Sequence, residues 1–160
     1  MKKISIVMGS KSDLETVSET VNVLNEFKTE FDLKVLSAHR SPQDLIRYVE
    51  KSSESGTKVF IAAAGMSAAL AGVIAAHTTL PVIGIPVETR NLKGLDSLLS
   101  TVQMPPGIPV GCMSIGKPGA KNAALFALEI LGTEDSKIKA RLARYKKQMR
   151  ASIRKTRISL

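Results

Sequence analysis

Five apolar runs, spaced along the chain and separated by stretches of helical periodicity, constrain this sequence most. They are "KISIVM" (3–8), "FDLKVLS" (31–37), "KVFIAAA" (58–64), "LPVIGIPV" (80–87) and "VGCMSI" (110–115). Most are continuous rather than alternating, which is the pattern of strands covered on both faces. The first intervening stretch, "LETVSETVNVLNEF", carries Leu14, Val17, Val21, Leu24 and Phe27 at helical spacing, with Ser12 or Asp13 placed to cap it. "PQDLIRYVEKS" is a second helix with Pro42 near its first position. "GMSAALAGVIAAHTT", "GLDSLLSTV" and "GKPGAKNAALFALEIL" supply three more, and "MPPGIP" is a rigid loop before the last strand.

Strand and helix thus alternate five times. The expected class is α/β: a three-layer αβα sandwich around a doubly wound, parallel, five-stranded sheet. Right-handed crossovers favour a flavodoxin-like order, 2-1-3-4-5, although the residues alone leave other doubly wound orders open. In the flavodoxin-like order the sheet reverses its growth between strands one and three. Ligands bind in the crevice at the carboxyl ends of those strands.

With 160 residues the chain has the size of one domain, read as a body over 1–134 and a C-terminal helix over 135–160. Only 4% of residues are aromatic, so Ala, Val, Ile, Leu and Met must build the core. Cys112 is the one cysteine and is read as an inert core residue, with no CxxC partner for zinc or dithiol chemistry. "MKKISIVMGS" is too short and polar for a signal peptide, and no apolar run reaches a membrane-spanning length. A cytoplasmic location is therefore expected.

The net charge of +9 suggests nucleic acid until its distribution is examined. Residues 1–136 hold 13 basic and 14 acidic side chains, whereas the last 24 hold 10 basic and none acidic. In that tail Ile138, Leu142, Tyr145, Met149 and Ile153 recur at helical spacing. A nucleic-acid arm, a membrane-surface helix and a subunit-packing helix with a solvated basic face all share this pattern. The apolar stripe favours the packing helix, with neither nucleic acid nor membrane as partner.

Three loops should meet at the crevice: "GSKSD", "SAHRSP" and "AGMSAALAG". Each opens a helix and so presents unpaired N–H groups and a positive dipole end. Gly9 and Gly65 allow close approach; Ser10, Ser12, Ser37 and Ser67 supply hydroxyls. Arg40 can fork onto a phosphate, and Asp13 can accept from two sugar hydroxyls. The set suits a phosphorylated sugar. "GSKSD" is neither a dinucleotide fingerprint nor a Walker loop. A lone surface histidine is usually idle, but His39 shares this crevice with Arg40 and the serines. His77 falls at a helix end far from the strand tips and reads as structural. Lys34, near the end of the second strand, is assigned no role.

"VMGSKSD", "SAHRSP", "AAAGMSAALAG", "LPVIGIPV", "DSLLSTVQMPPGIPVG" and "IGKPGAKNAALFALEIL" together resemble the aminoimidazole ribonucleotide carboxylase family of purine synthesis. The resemblance runs through about residues 4–131 in order. It implies a flavodoxin-like fold and a tetramer or octamer, with the C-terminal helix packed on neighbouring subunits. In the common bacterial mutase the third loop reads Gly-Gly-Ala-Ala-His-Leu-Pro-Gly; here Ala69 stands at the histidine and Ala71 at the proline. On that departure the chain resembles the second class, which joins free CO2 to C4 of aminoimidazole ribonucleotide without ATP, biotin or metal. The mutase, an isomerase, is the alternative, and a non-enzymatic phosphosugar-binding module is a third reading. The resemblance implies that Ser10, Ser37 and Arg40 hold the phosphate, while Gly9 and Ser12 shape the loop. It gives Asp13 the ribose hydroxyls, and gives Gly65, Met66, Ser67 and Leu70 the ring and CO2. It makes His39 the proton acceptor in the forward direction and the donor in reverse, with a small apolar pocket around Ala68 and Ala69.

Overall fold

A computed structural model describes residues 2–157. Five strands, β1 (Ile4–Met8), β2 (Phe31–Val35), β3 (Val59–Ala64), β4 (Val82–Pro86) and β5 (Gly111–Cys112), form one parallel sheet ordered β2-β1-β3-β4-β5. This is the flavodoxin-like order. The helices among the described residues are α1 (Leu14–Glu26), α2 (Pro42–Glu54), α3 (Leu70–Ala76), α4 (Leu95–Val102), α5 (Gly116–Gly132) and α6 (Ser136–Lys155), with a 3-10 turn at Lys11–Asp13.

The continuous apolar runs have their explanation in the two faces of the sheet. On one face Ile4, Ile6, Ile61 and Ile83 pack against Val17 and Leu24 of α1 and Ala120, Ala124 and Leu128 of α5. On the other, Val7, Phe60 and Ala62 pack against Leu45 and Val49 of α2 and Leu70 and Ile74 of α3. Each fully buried Leu, Ile or Phe contributes about 1.5–3 kcal/mol relative to exposure. The alanines of α5 have a different use: their small side chains let that helix lie close to α1 and the sheet.

β5 is shorter than the apolar run over 110–115. It pairs only with β4, through Ile83 with Gly111 and Gly84 with Cys112. Met113 adds one further N–H bond to the Gly84 carbonyl, at 2.9 Å, before the chain turns into α5. An edge strand has a single partner, so apolarity alone does not extend it. Cys112 is accordingly half-buried at the sheet edge rather than inside the core, and partial burial pushes its thiol pKa up.

α6 begins at a capped end, where the Asp135 carboxylate accepts from the Lys137 and Ile138 N–H groups at 3.0 and 3.2 Å. Its first half packs on its own chain. Ile138 and Leu142 belong to the core, Tyr145 tilts against Phe27 at 5.7 Å between ring centroids, and the Arg141 guanidinium donates to the Phe27 carbonyl. The apolar stripe therefore has a partner within the protomer as far as Tyr145. Met149 and Ile153 stay exposed. No helix among the described residues is long and apolar enough to cross a membrane.

Candidate functional site

The parallel register brings the strand ends level. Met8 pairs with Val35 on one side and Ala63 on the other, and Ala64 pairs with Pro86. Backbone bonds from Gly9 N–H to Ala63 O (3.1 Å), Leu36 N–H to Met8 O (3.0 Å) and Val87 N–H to Ala64 O (2.9 Å) carry the alignment into the loops. The loops after β1, β2, β3 and β4 consequently wall a single cavity of about 930 Å³.

The first loop contributes Gly9, Ser10, Ser12 and Asp13. Asp13 occupies the residue before α1 but does not cap that helix; its carboxylate turns back to accept from the Ser10 N–H at 3.0 Å. Ser10 in turn caps the 3-10 turn, its Oγ accepting from the Ser12 N–H at 3.3 Å and the Ser12 hydroxyl at 3.0 Å. Burial raises the Asp13 pKa, against the pull of the Ser10 N–H, the Ser12 hydroxyl and the Arg40 charge. The carboxylate is thus both a brace for the loop and an acceptor facing the cavity.

The second loop contributes Ser37, His39 and Arg40. Ser37 Oγ accepts from the Arg40 N–H at 3.1 Å and from Arg40 Nε at 3.3 Å. Arg40 Nη2 then crosses to the first loop and donates to the Gly9 carbonyl at 2.8 Å. One guanidinium therefore ties the two loops together and holds the remaining N–H groups beside the α2 N-terminus, where Pro42 takes the first helical position. His39 is exposed at the cavity wall and has no hydrogen bond or ion pair among the described residues.

The third loop contributes Gly65, Met66, Ser67, Ala69 and Leu70. Met66 is 71% exposed and lies at φ +60°, a left-handed conformation that costs an L residue about 1–2 kcal/mol. Its carbonyl is held by the Ala68 N–H at 2.9 Å and the Ser100 hydroxyl at 3.4 Å. Ala69 presents no polar atom beyond its backbone. Every residue given a catalytic or substrate-binding role, from Gly9 to Leu70, lines this cavity. Ala68 is buried behind it, His77 ends α3 outside it, and Lys34 sits on β2 outside it, near enough to Asp32 to help lower that carboxylate's pKa.

Sequence reasoning missed a fourth wall. Glu88, Thr89, Arg90, Asn91 and Leu92, with Asp96 and Ser100 of α4, line the same cavity. Their signal was topological rather than compositional. β4 is the neighbour of β3, so the loop after β4 opens beside the loop after β3. Among the described residues, no group of three or more His, Cys, Asp or Glu side chains is arranged to hold a metal ion.

Fold and site together define a doubly wound α/β protein with a carboxyl-end cavity lined by hydroxyls, one buried carboxylate, an unpartnered imidazole and two guanidinium groups. The chain belongs to the AIR carboxylase family, whose sequence profile matches residues 3–152. An N5-carboxyaminoimidazole ribonucleotide mutase of Pyrococcus abyssi is 51% identical over 94% of this chain and 85% of its own. One of Bacillus subtilis is 50% identical over 87% and 86%. The crystal structure of Treponema denticola PurE superposes with a TM-score of 0.86 at 26% identity, covering 94% of this chain and 92% of that one. The names of these relatives favour the isomerase, which stood as the alternative, over the CO2-using carboxylase to which Ala69 and Ala71 point.

Proposed function

We propose that this chain is a mutase that moves a carboxyl group from N5 to C4 of carboxyaminoimidazole ribonucleotide. The convergence of Ser10, Asp13, Ser37, His39 and Arg40 on one cavity carries the ribonucleotide reading. Relatives so named at 51% and 50% identity support the isomerase. Ser10, Ser37 and Arg40 hold the 5′-phosphate, and Asp13 accepts from the ribose hydroxyls. Gly9 and Ser12 shape the first loop, while Gly65, Met66, Ser67 and Leu70 flank the ring.

The proton balance assigns His39 its task. Breaking the N5–carboxyl bond releases CO2 and requires a proton on N5. C4 of the electron-rich ring then attacks CO2, and its own proton must leave. His39 gives the first proton and takes the second, so the isomerisation is proton-neutral. An imidazole has a ring nitrogen that can hold a proton and release it, so it can do both. The distal part of α6, with Met149 and Ile153, packs on a neighbouring subunit of a homo-oligomer.

A second reading is the direct carboxylase, favoured by Ala69 and Ala71. It consumes free CO2 and releases one proton per turnover, because no carbamate nitrogen needs one. The two nucleotides, supplied separately without ATP, distinguish the readings in a pH-stat assay. We expect turnover of the N5-carboxylated nucleotide with no net proton release, slowed by about 10²–10⁴ in His39→Asn with nucleotide affinity kept. CO2-dependent turnover of aminoimidazole ribonucleotide with one proton released would establish the carboxylase instead. Tight binding without turnover of either would leave a phosphosugar-binding module. Turnover that survives the substitution removes His39 from the mechanism.

A further inference from the structure

The β4–α4 loop carries a second guanidinium into the cavity. We propose that Arg90 grips the carboxylate of the nucleotide and so discriminates carboxylated from uncarboxylated ligand. This rests on the ribonucleotide reading above and adds a residue to it.

A carboxylated ribonucleotide brings two anionic groups, the phosphate and the carboxylate. Arg40 and Arg90 are the guanidinium groups lining the cavity, on different walls. Arg40 is already bound to Gly9 O and Ser37 Oγ, which directs it to the phosphate end beside the α2 N-terminus. Arg90 is exposed and has no hydrogen bond or ion pair among the described residues, although Asp13, Glu88 and Asp96 line the same cavity. Two of those carboxylates are engaged elsewhere: Asp13 by Ser10 and Ser12, and Asp96 by the Thr89 hydroxyl at 2.8 Å.

The loop that bears Arg90 is anchored. Thr89 Oγ1 also accepts from the Gly94 N–H at 3.2 Å, and Thr89 O accepts from the Lys93 N–H at 2.9 Å. The Thr89 methyl lies 3.4 Å from where a Cβ on Gly65 would stand, so this loop touches the third loop directly. Arg90 follows Thr89 and lines the same cavity as Ala69. The wall that bears Ala69 has no side chain able to hold a carboxylate at that position. A planar fork of N–H donors matches a carboxylate bidentately, which neither Ala69 nor a lone serine can reproduce.

Equilibrium binding of the full chain to three probes tests this: 4-carboxyaminoimidazole ribonucleotide, aminoimidazole ribonucleotide and ribose 5-phosphate. Arg90→Gln should weaken the carboxylated nucleotide by about tenfold, a moderate figure because the free guanidinium is exposed. The uncarboxylated nucleotide and the sugar phosphate should bind as to the unaltered chain, and Arg90→Lys should restore part of the loss. An equal loss for all three probes, or no loss for any, overturns the assignment of Arg90 while leaving the ribonucleotide site standing. Failure of the unaltered chain to bind either nucleotide overturns the ribonucleotide reading and the role of Arg90 with it.

Discussion

Asp13 shows how one residue serves a loop and a site together. Its carboxylate is held by the Ser10 N–H and the Ser12 hydroxyl, yet burial raises its pKa. The folded chain therefore holds this proton more tightly than the unfolded chain. The contribution of Asp13 to stability is full below its ordinary value of 3.8 and falls as pH rises through the raised folded value. Asp13→Asn removes that dependence. In urea unfolding, the stability of the variant minus that of the parent should grow from below pH 3.8 toward neutrality. A constant difference would contradict the raised pKa. Sequence marked Asp13 as a helix cap or a sugar ligand, and its reach back to Ser10 came only with the 3-10 turn. His39 was legible because histidine is rare in this chain and its loop is rich in phosphate-binding residue types. Arg90 was not: an arginine in a surface loop has no pattern of its own.

At the scale of elements, a helix start was read well where chemistry marks it, as at Pro42; the Asp135 cap of α6 came from the structure. The start of α5 is set by a contact that no propensity encodes. A Cβ on Gly119 would fall 1.6 Å from the Ser114 carbonyl oxygen and 2.6 Å from its carbon. Alanine is the better helix former by about 1 kcal/mol, but a backbone clash of this depth outweighs that gain. Gly119→Ala should cost at least about 3 kcal/mol in denaturant unfolding, and unchanged stability would refute the close approach. The same distinction separates the apolar run over 110–115 from the two-residue β5. Hydrophobicity marks where a strand can form, while the ladder extends only as far as a partner's backbone groups remain in reach.

The two halves of the basic tail are placed differently in the whole molecule. Ile138, Leu142 and Tyr145 complete the protomer's own core, whereas Met149 and Ile153 are left outside. A chain ending at residue 146 should keep its melting temperature within a few degrees and, on the proposed packing of Met149 and Ile153 against a neighbouring subunit, lose mass in sedimentation velocity. A chain ending at residue 136 should also lose roughly 1.5–3 kcal/mol for each of the two buried aliphatic residues removed. A mass unchanged by the shorter cut would overturn the proposed packing of Met149 and Ile153 on a neighbouring subunit. The exposed Leu95, Leu99 and Val102 stripe of α4 is then the face to alter next.

The sequence by itself determined the fold class, the order of elements and three walls of the cavity. Those depend on local periodicity, on the right-handedness of β–α–β crossovers and on residue types that recur wherever helices open onto phosphates. Only the tertiary structure decided which loop forms the fourth wall, where β5 stops, how far α6 belongs to its own protomer, and which carboxylates of the cavity are already engaged. Each of those depends on a contact between residues far apart in the chain. Such a contact exists only once the sheet has brought the strand ends level.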